Sequence, residues 1–236
     1  MVSTRGRFIG EYSNKTSSLN ISAELDETGG VRFTFEGATG RRFVSDRYAL
    51  RGGPNNYTVD FRGSPGGFNS FRNRLRRSFP GVQVQAGDFA ELTEYSEIFF
   101  FTKLESREIL FRREALPLAE ATYISNDDDT FVLSFKVTRT GRVRIDCMSD
   151  GGSSRLQRRF PLFPAEAEAK LPNFRLIGDQ DRSIEFFENV KKTCERPDLP
   201  TQQSLFFVFA ATESRVYLRL GDESLNSKTF ALDKSE

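Results

Sequence analysis

The chain has no histidine and no tryptophan, and only two cysteines and two methionines in 236 residues. Without imidazole there is no Ser-His or Cys-His nucleophilic couple, no ordinary general base near neutral pH, and no histidine for a zinc or non-haem iron centre. No catalytic constellation emerges from the carboxylates, arginines and lysines that remain. The expected role is therefore binding rather than catalysis, with no cofactor and no metal. Cys147 and Cys194 allow at most one bridge, so a disulfide framework is excluded. No apolar run approaches the roughly 18 residues that cross a bilayer, and Met1–Phe8 carries no apolar leader segment. The expectation is an intracellular protein, cytoplasmic or nuclear, with no membrane partner. In that setting the triplets starting at Asn14, Asn20 and Asn56 would carry no glycan. Charge of one sign is missing as well. Lys plus Arg number 34 against 33 Asp plus Glu, a formal net charge of +1, so any anion-binding role must come from local clustering.

What the chain does have is phenylalanine, 24 in all, and a pattern that repeats. Glu97–Arg112 reads like Ser204–Arg219, with Glu105-Ser-Arg107 matching Glu213-Ser-Arg215. Thr28–Phe33 pairs with Thr140–Ile145, Arg41–Phe43 with Arg158–Phe160, Pro54–Tyr57 with Pro172–Phe174, and Phe71–Arg77 with Phe186–Lys192. These collinear matches at an offset of roughly 110 residues predict two tandem pseudo-repeats, residues 1–115 and 116–236. Aligning them sets Cys147 opposite Phe35 and Cys194 near Phe79, which predicts two buried thiols standing in aromatic core positions.

Period-two alternation of aromatic and β-branched residues predicts strands at Gly30–Glu36, Asn56–Arg62, Ile98–Lys103, Glu108–Arg113, Phe131–Thr138, Arg142–Met148, Leu205–Ala210 and Arg215–Leu220. Turn chemistry at Glu27–Gly30, Arg139–Arg142 and Asn126–Asp129 favours hairpins and hence an antiparallel sheet. Spacings of three and four predict one helix per copy: Phe68, Phe71, Leu75 and Phe79 over about 68–79, and Phe186, Val190 and Cys194 over about 183–194. The fold class is thus α+β, each copy a mainly antiparallel sheet carrying one amphipathic helix, with the copies expected to join edge to edge into a continuous pseudo-twofold body. Ala165–Lys170 reads as an insertion in the second copy.

The glycine-rich Arg62-Gly-Ser-Pro-Gly-Gly-Phe68 opens a helix but lacks the Lys-Ser/Thr of a nucleotide loop, and Gly178–Ser183 in the second copy is acidic. The repeated arginines are more informative. Arg72, Arg74, Arg76 and Arg77 stand opposite the phenylalanine stripe of the first helix, and Arg41-Arg42 and Arg158-Arg159 recur between the copies. Together they predict a surface for a polyanion such as single-stranded nucleic acid, with Tyr48 or Tyr57 stacking on bases. The competing expectation is an assembly scaffold or homo-oligomer, binding protein partners through sheet edges and Phe-rich strands.

Overall fold

The computed structural model describes residues 8–114, 116–125, 130–138, 141–149, 152–160, 162–164, 174–176, 180–199, 206–221 and 227–235. The chain divides into two compact units, Met1–Glu114 and Ala115–Glu236. The first contains β1 (Gly10–Lys15), β2 (Leu19–Leu25), β3 (Gly30–Gly37), β4 (Arg42–Gly52), β5 (Tyr57–Asp60), a 3-10 turn (Phe61–Gly63), α1 (Gly67–Ser78), β6 (Glu91–Leu92), β7 (Phe99–Leu104) and β8 (Arg107–Arg113). Its eight-stranded sheet has the order β6-β5-β4-β3-β2-β1-β8-β7. The two ends of that order meet, because Thr93 and Phe101 exchange backbone hydrogen bonds of 2.8 and 2.9 Å and the Phe89 N–H reaches the Lys103 carbonyl at 3.0 Å. The result is a closed ring of strands, each lying beside its neighbours in sequence.

Alternation explains what faces inward. On β3, Val31, Phe33 and Phe35 are buried while Glu36 is exposed. These inner residues join Phe71 and Leu75 of α1 in one hydrophobic cluster. The Phe71 ring lies 5.5 Å from Phe61, 5.8 Å from Phe89 and 6.4 Å from Phe33, so the helix is held by aromatic packing. The first and last strands are sealed by Arg113, which is 3% exposed. Its guanidinium donates to the Ile9 carbonyl at 2.7 Å and also to the Glu97 carbonyl and the Tyr12 hydroxyl.

The second unit contains β9 (Thr122–Ile124), β10 (Phe131–Val137), β11 (Gly141–Ser149), β12 (Gly152–Phe160), β13 (Leu162–Pro164), β14 (Phe174–Leu176), α2 (Gln180–Thr193), β15 (Phe206–Ala210), β16 (Arg215–Leu220) and β17 (Lys228–Lys234). Its nine-stranded sheet runs β12-β11-β10-β9-β17-β16-β15-β14-β13. The strands at its two ends, β12 and β13, are consecutive along the chain. In the first unit β4 pairs with β3 through Arg42–Ala49 and with β5 through Ala49–Gly52; in the second, β12 pairs with β11 and β13 with β14.

The described residues form antiparallel sheet with two α-helices, and α1 and α2 begin one and three residues before their expected starts. Several expectations need correction. The strands form two sheets, so the expected single sheet running through both copies is not found among the described residues. The strand expected over Asn56–Arg62 stops at Asp60, where the Asp60 side chain accepts the Arg62 N–H and starts the 3-10 turn. Cys194 is buried as expected but is disulfide-bonded, not a free thiol, and the chain has one other cysteine, Cys147. Asn126–Asp129, Ala165–Lys170 and much of Gly178–Ser183 lie outside the described residues.

In each unit the first strand pairs with the last, β1 with β8 and β9 with β17. Arg42 opens β4, whereas Arg158 and Arg159 lie at the end of β12. Tyr48 and Phe160 are both 1% exposed, and each packs on the helix of its own unit: Tyr48 on Phe71 at 6.0 Å and Phe160 on Phe186 at 5.8 Å.

Candidate polyanion interface

Phe71 and Leu75 are turned into the core, and the arginines of α1 lie on its other faces: Arg76 and Arg77 are exposed, and Arg72 and Arg74 are half-buried. The helix starts at Gly66, which has φ 77° and no side-chain cap, and ends where the Phe79 N–H bonds to the Leu75 carbonyl. Arg41, in the turn between β3 and β4, extends its Nη1 to the Ser78 carbonyl at 2.9 Å, satisfying one of the acceptors that a helix leaves open at this end. That turn lies close against the helix end, since a Cβ on Gly37 would stand 3.0 Å from the Phe79 ring. Arg41 is thereby held at the helix end whose last turn carries Arg76 and Arg77. Arg72 lies one turn before Arg76 on the same helix face, with its Nε buried and unpartnered. Arg42 is exposed on β4, opposite Glu36 in the ladder.

Arg74 does not belong to this group. Its Nη1 meets Asp46 Oδ2 at 2.9 Å, and its guanidinium carbon sits 5.5 Å from the centroid of Phe43. The same Asp46 oxygen accepts the Ser64 hydroxyl at 2.6 Å. The Ser64 hydrogen bond and then Arg74 hold the Asp46 carboxyl below the usual carboxylate range. Arg74 thus joins helix to sheet, which corrects its assignment to an anion surface.

Four other arginines of the first unit are likewise engaged by carboxylates, while Arg107 and Arg112 are exposed on β8 with no carboxylate partner among the described residues. Arg32 lies 3.8 Å from Glu24, Arg47 pairs with Asp26, and Arg51 and Arg62 meet Asp60 at 2.6 and 2.9 Å. The Asp60 carboxyl is pulled down to about 2, chiefly by the Arg62 hydrogen bond. Of the arginines repeated in the second unit, Arg144 pairs with Asp146 at 2.7 Å and Arg215 with Asp233 at 2.6 Å. By contrast, no carboxylate pairs with Arg41, Arg42, Arg72, Arg76 or Arg77 among the described residues.

In the second unit, Arg158 is half-buried and Arg159 exposed, opposite Val143 and Arg142 on β11. They lie on a strand, near the end of β12. The last turn of α2 carries Lys191 and Lys192, the residues matched in sequence to Arg76 and Arg77.

Base stacking by the expected tyrosines is corrected. Tyr48 is 1% and Tyr57 6% exposed, because both rings face the core of the first unit. Burial pushes the Tyr48 hydroxyl up to about 12. Sheet edges fare similarly in that unit, since the bonds between Thr93 and Phe101 join its two ends. A cavity of about 510 Å³ beside this seam is lined by Lys103 together with Glu91 and Glu108, without a basic cluster. No group of metal-ligating side chains is present among the described residues.

Sequence spacing missed the partners of these arginines. Asp46 and Arg74 are 28 residues apart, and Arg41 and Ser78 are 37 apart, so neither contact leaves a local signal. Neither a protein-family model nor a curated protein matches the chain.

Proposed function

We propose that the protein is a non-enzymatic binding protein for a polyanion such as single-stranded nucleic acid, held by Arg41, Arg72, Arg76 and Arg77 at the end of α1 with Arg42 at the margin. The observation that carries this reading is the clustering of unpaired arginines at one helix end: Arg32, Arg47, Arg51, Arg62 and Arg74 meet carboxylates, while this group meets none among the described residues and Arg41 is bonded to the helix end itself. Exposed guanidinium groups without internal counter-charges retain their donors for phosphate oxygens, and each contact releases counterions from a charged polymer. With Tyr48 and Tyr57 buried, recognition rests on backbone charge rather than on bases.

The experiment is fluorescence anisotropy of a labelled oligothymidylate against the full chain at two salt concentrations. Arg76→Glu with Arg77→Glu is expected to weaken binding at least tenfold and to reduce the salt slope by about 0.9 per lost phosphate contact. Unchanged affinity and slope would overturn the assignment. The same reading takes the two units as tandem pseudo-repeats, supported by closely similar strand orders and by a basic pair in the last turn of each helix.

A further inference from the structure

We propose that Asn56 is an acceptor for an N-linked glycan. The inference does not use the arginine group, and its compartment differs from the intracellular one expected from the sequence. Three Asn-x-Ser/Thr triplets occur in the chain, and the fold separates them. Asn14 lies on β1 with its Nδ2 donated to the Leu110 carbonyl at 2.9 Å, so a glycan there would break a contact between strands. Asn20 lies on β2, half-buried, with its Oδ1 enclosed and unpartnered. Asn56 is exposed in the turn between β4 and β5, and Thr58, the hydroxyl-bearing third residue of its triplet, is exposed as well.

The turn holds Asn56 by its backbone. The Gly53 N–H donates to the Asn56 carbonyl at 2.9 Å, and Gly53 adopts φ 122°, where a Cβ would stand 2.9 Å from the Tyr57 hydroxyl. The side chain makes one long contact, Oδ1 accepting the Glu94 N–H at 3.4 Å, which leaves Nδ2 unengaged among the described residues. This turn follows the last residue of β4, whereas the Arg41 turn precedes its first. A glycan on Asn56 therefore projects from the opposite end of the ring to the arginine group.

A second, independent observation concerns the compartment. Cys194 is disulfide-bonded, and such bonds persist where thiols are not kept reduced, which in eukaryotic cells is the compartment where asparagine is glycosylated. In the transfer, Asn56 Nδ2 attacks the anomeric carbon of an oligosaccharide carried on a lipid pyrophosphate. The new C–N bond replaces the C–O bond to phosphate, the lipid pyrophosphate departs with the electron pair, and one amide proton passes to a base. Nothing is oxidised or reduced.

The test is expression of the full chain behind a cleavable secretion leader in cultured eukaryotic cells, with cell lysate and medium treated with peptide-N-glycosidase. The expected result is a mobility shift that the glycosidase removes, retained in Asn14→Gln and Asn20→Gln and lost in Asn56→Gln and Thr58→Ala. Thr58→Ala keeps Asn56 itself, and the lysate reports on any variant that is not exported. Absence of a shift in the wild-type chain, or a shift that survives Asn56→Gln, would overturn the proposal. Maleimide labelling of the unreduced protein is expected to find no free thiol, and labelled thiols would remove the argument from compartment.

Discussion

The two units secure the ends of their helices differently. At the end of α1, Phe79 rests on Phe35 of β3 with ring centroids 6.5 Å apart; at the end of α2, the buried Cys194 is covalently bonded, and the chain's other cysteine lies on β11. Dispersion and burial hold one helix in any solvent that keeps the fold. The other depends in addition on the redox state of its surroundings. In the first unit aromatic contacts surround the helix, with Phe71 touching rings from β3, β4 and the 3-10 turn.

Four measurements would break or sharpen this comparison. The largest effect is expected from Phe71→Ala, which empties the centre of the aromatic cluster and should cost about 3–5 kcal/mol in urea unfolding of the first unit. A loss below about 1 kcal/mol would mean that the helix is held elsewhere. Cys194→Ser, or addition of reductant, should cost the second unit about 2–4 kcal/mol by calorimetry and leave the first unit's transition in place. Acid should act next on the bond between helix and sheet in the first unit. The Asp46 carboxyl is held below its usual range when folded, so its contribution is present above the unfolded value of about 4 and is lost as pH falls through the lower folded value. Asn in place of Asp46 should weaken the first unit at pH 7 and flatten that acid-side decline, as followed by denaturant titrations across the range. The smallest effect should come from Lys191→Glu with Lys192→Glu. In the oligothymidylate assay it should change the salt slope by less than Arg76→Glu with Arg77→Glu, because the end of α2 lacks a counterpart of the Arg41 bond to the helix carbonyl among the described residues.

Local pattern made much of this fold legible. The alternation of Phe131, Leu133, Phe135 and Val137 produces β10 with those four side chains buried, and the stripe of Phe71 and Leu75 produces α1. Strands with polar or mixed composition were not legible. β1 (GEYSNK) is a strand because β2 and β8 supply hydrogen bonds on both its sides, and β12 (GSSRLQRRF) because β11 pairs along its whole length, tertiary causes with no local sign. The closure of the first sheet was equally hidden, since β6 is two residues long and its seam depends on Thr93 meeting Phe101. At the arginine group, charge and helix face were readable and counter-charge was not. Only three-dimensional proximity distinguishes Arg74, bound to Asp46, from Arg76, two positions later and unpaired.

The buried guanidinium of Arg113 sets a time order on assembly. Its hydrogen bond to the Ile9 carbonyl spans 104 residues, so on a ribosome the first strand emerges long before the residue that fastens its outer side. Strands β2 to β5 can zip by neighbouring hairpins as they appear, at small loop-closure cost, while β1 waits with one side open until β8 has been made. Pulse-labelled hydrogen exchange should accordingly find the outward-bonded amides of β1 among the last to be protected. A chain cut short before Arg113 should leave that strand open to pairing with a neighbouring molecule.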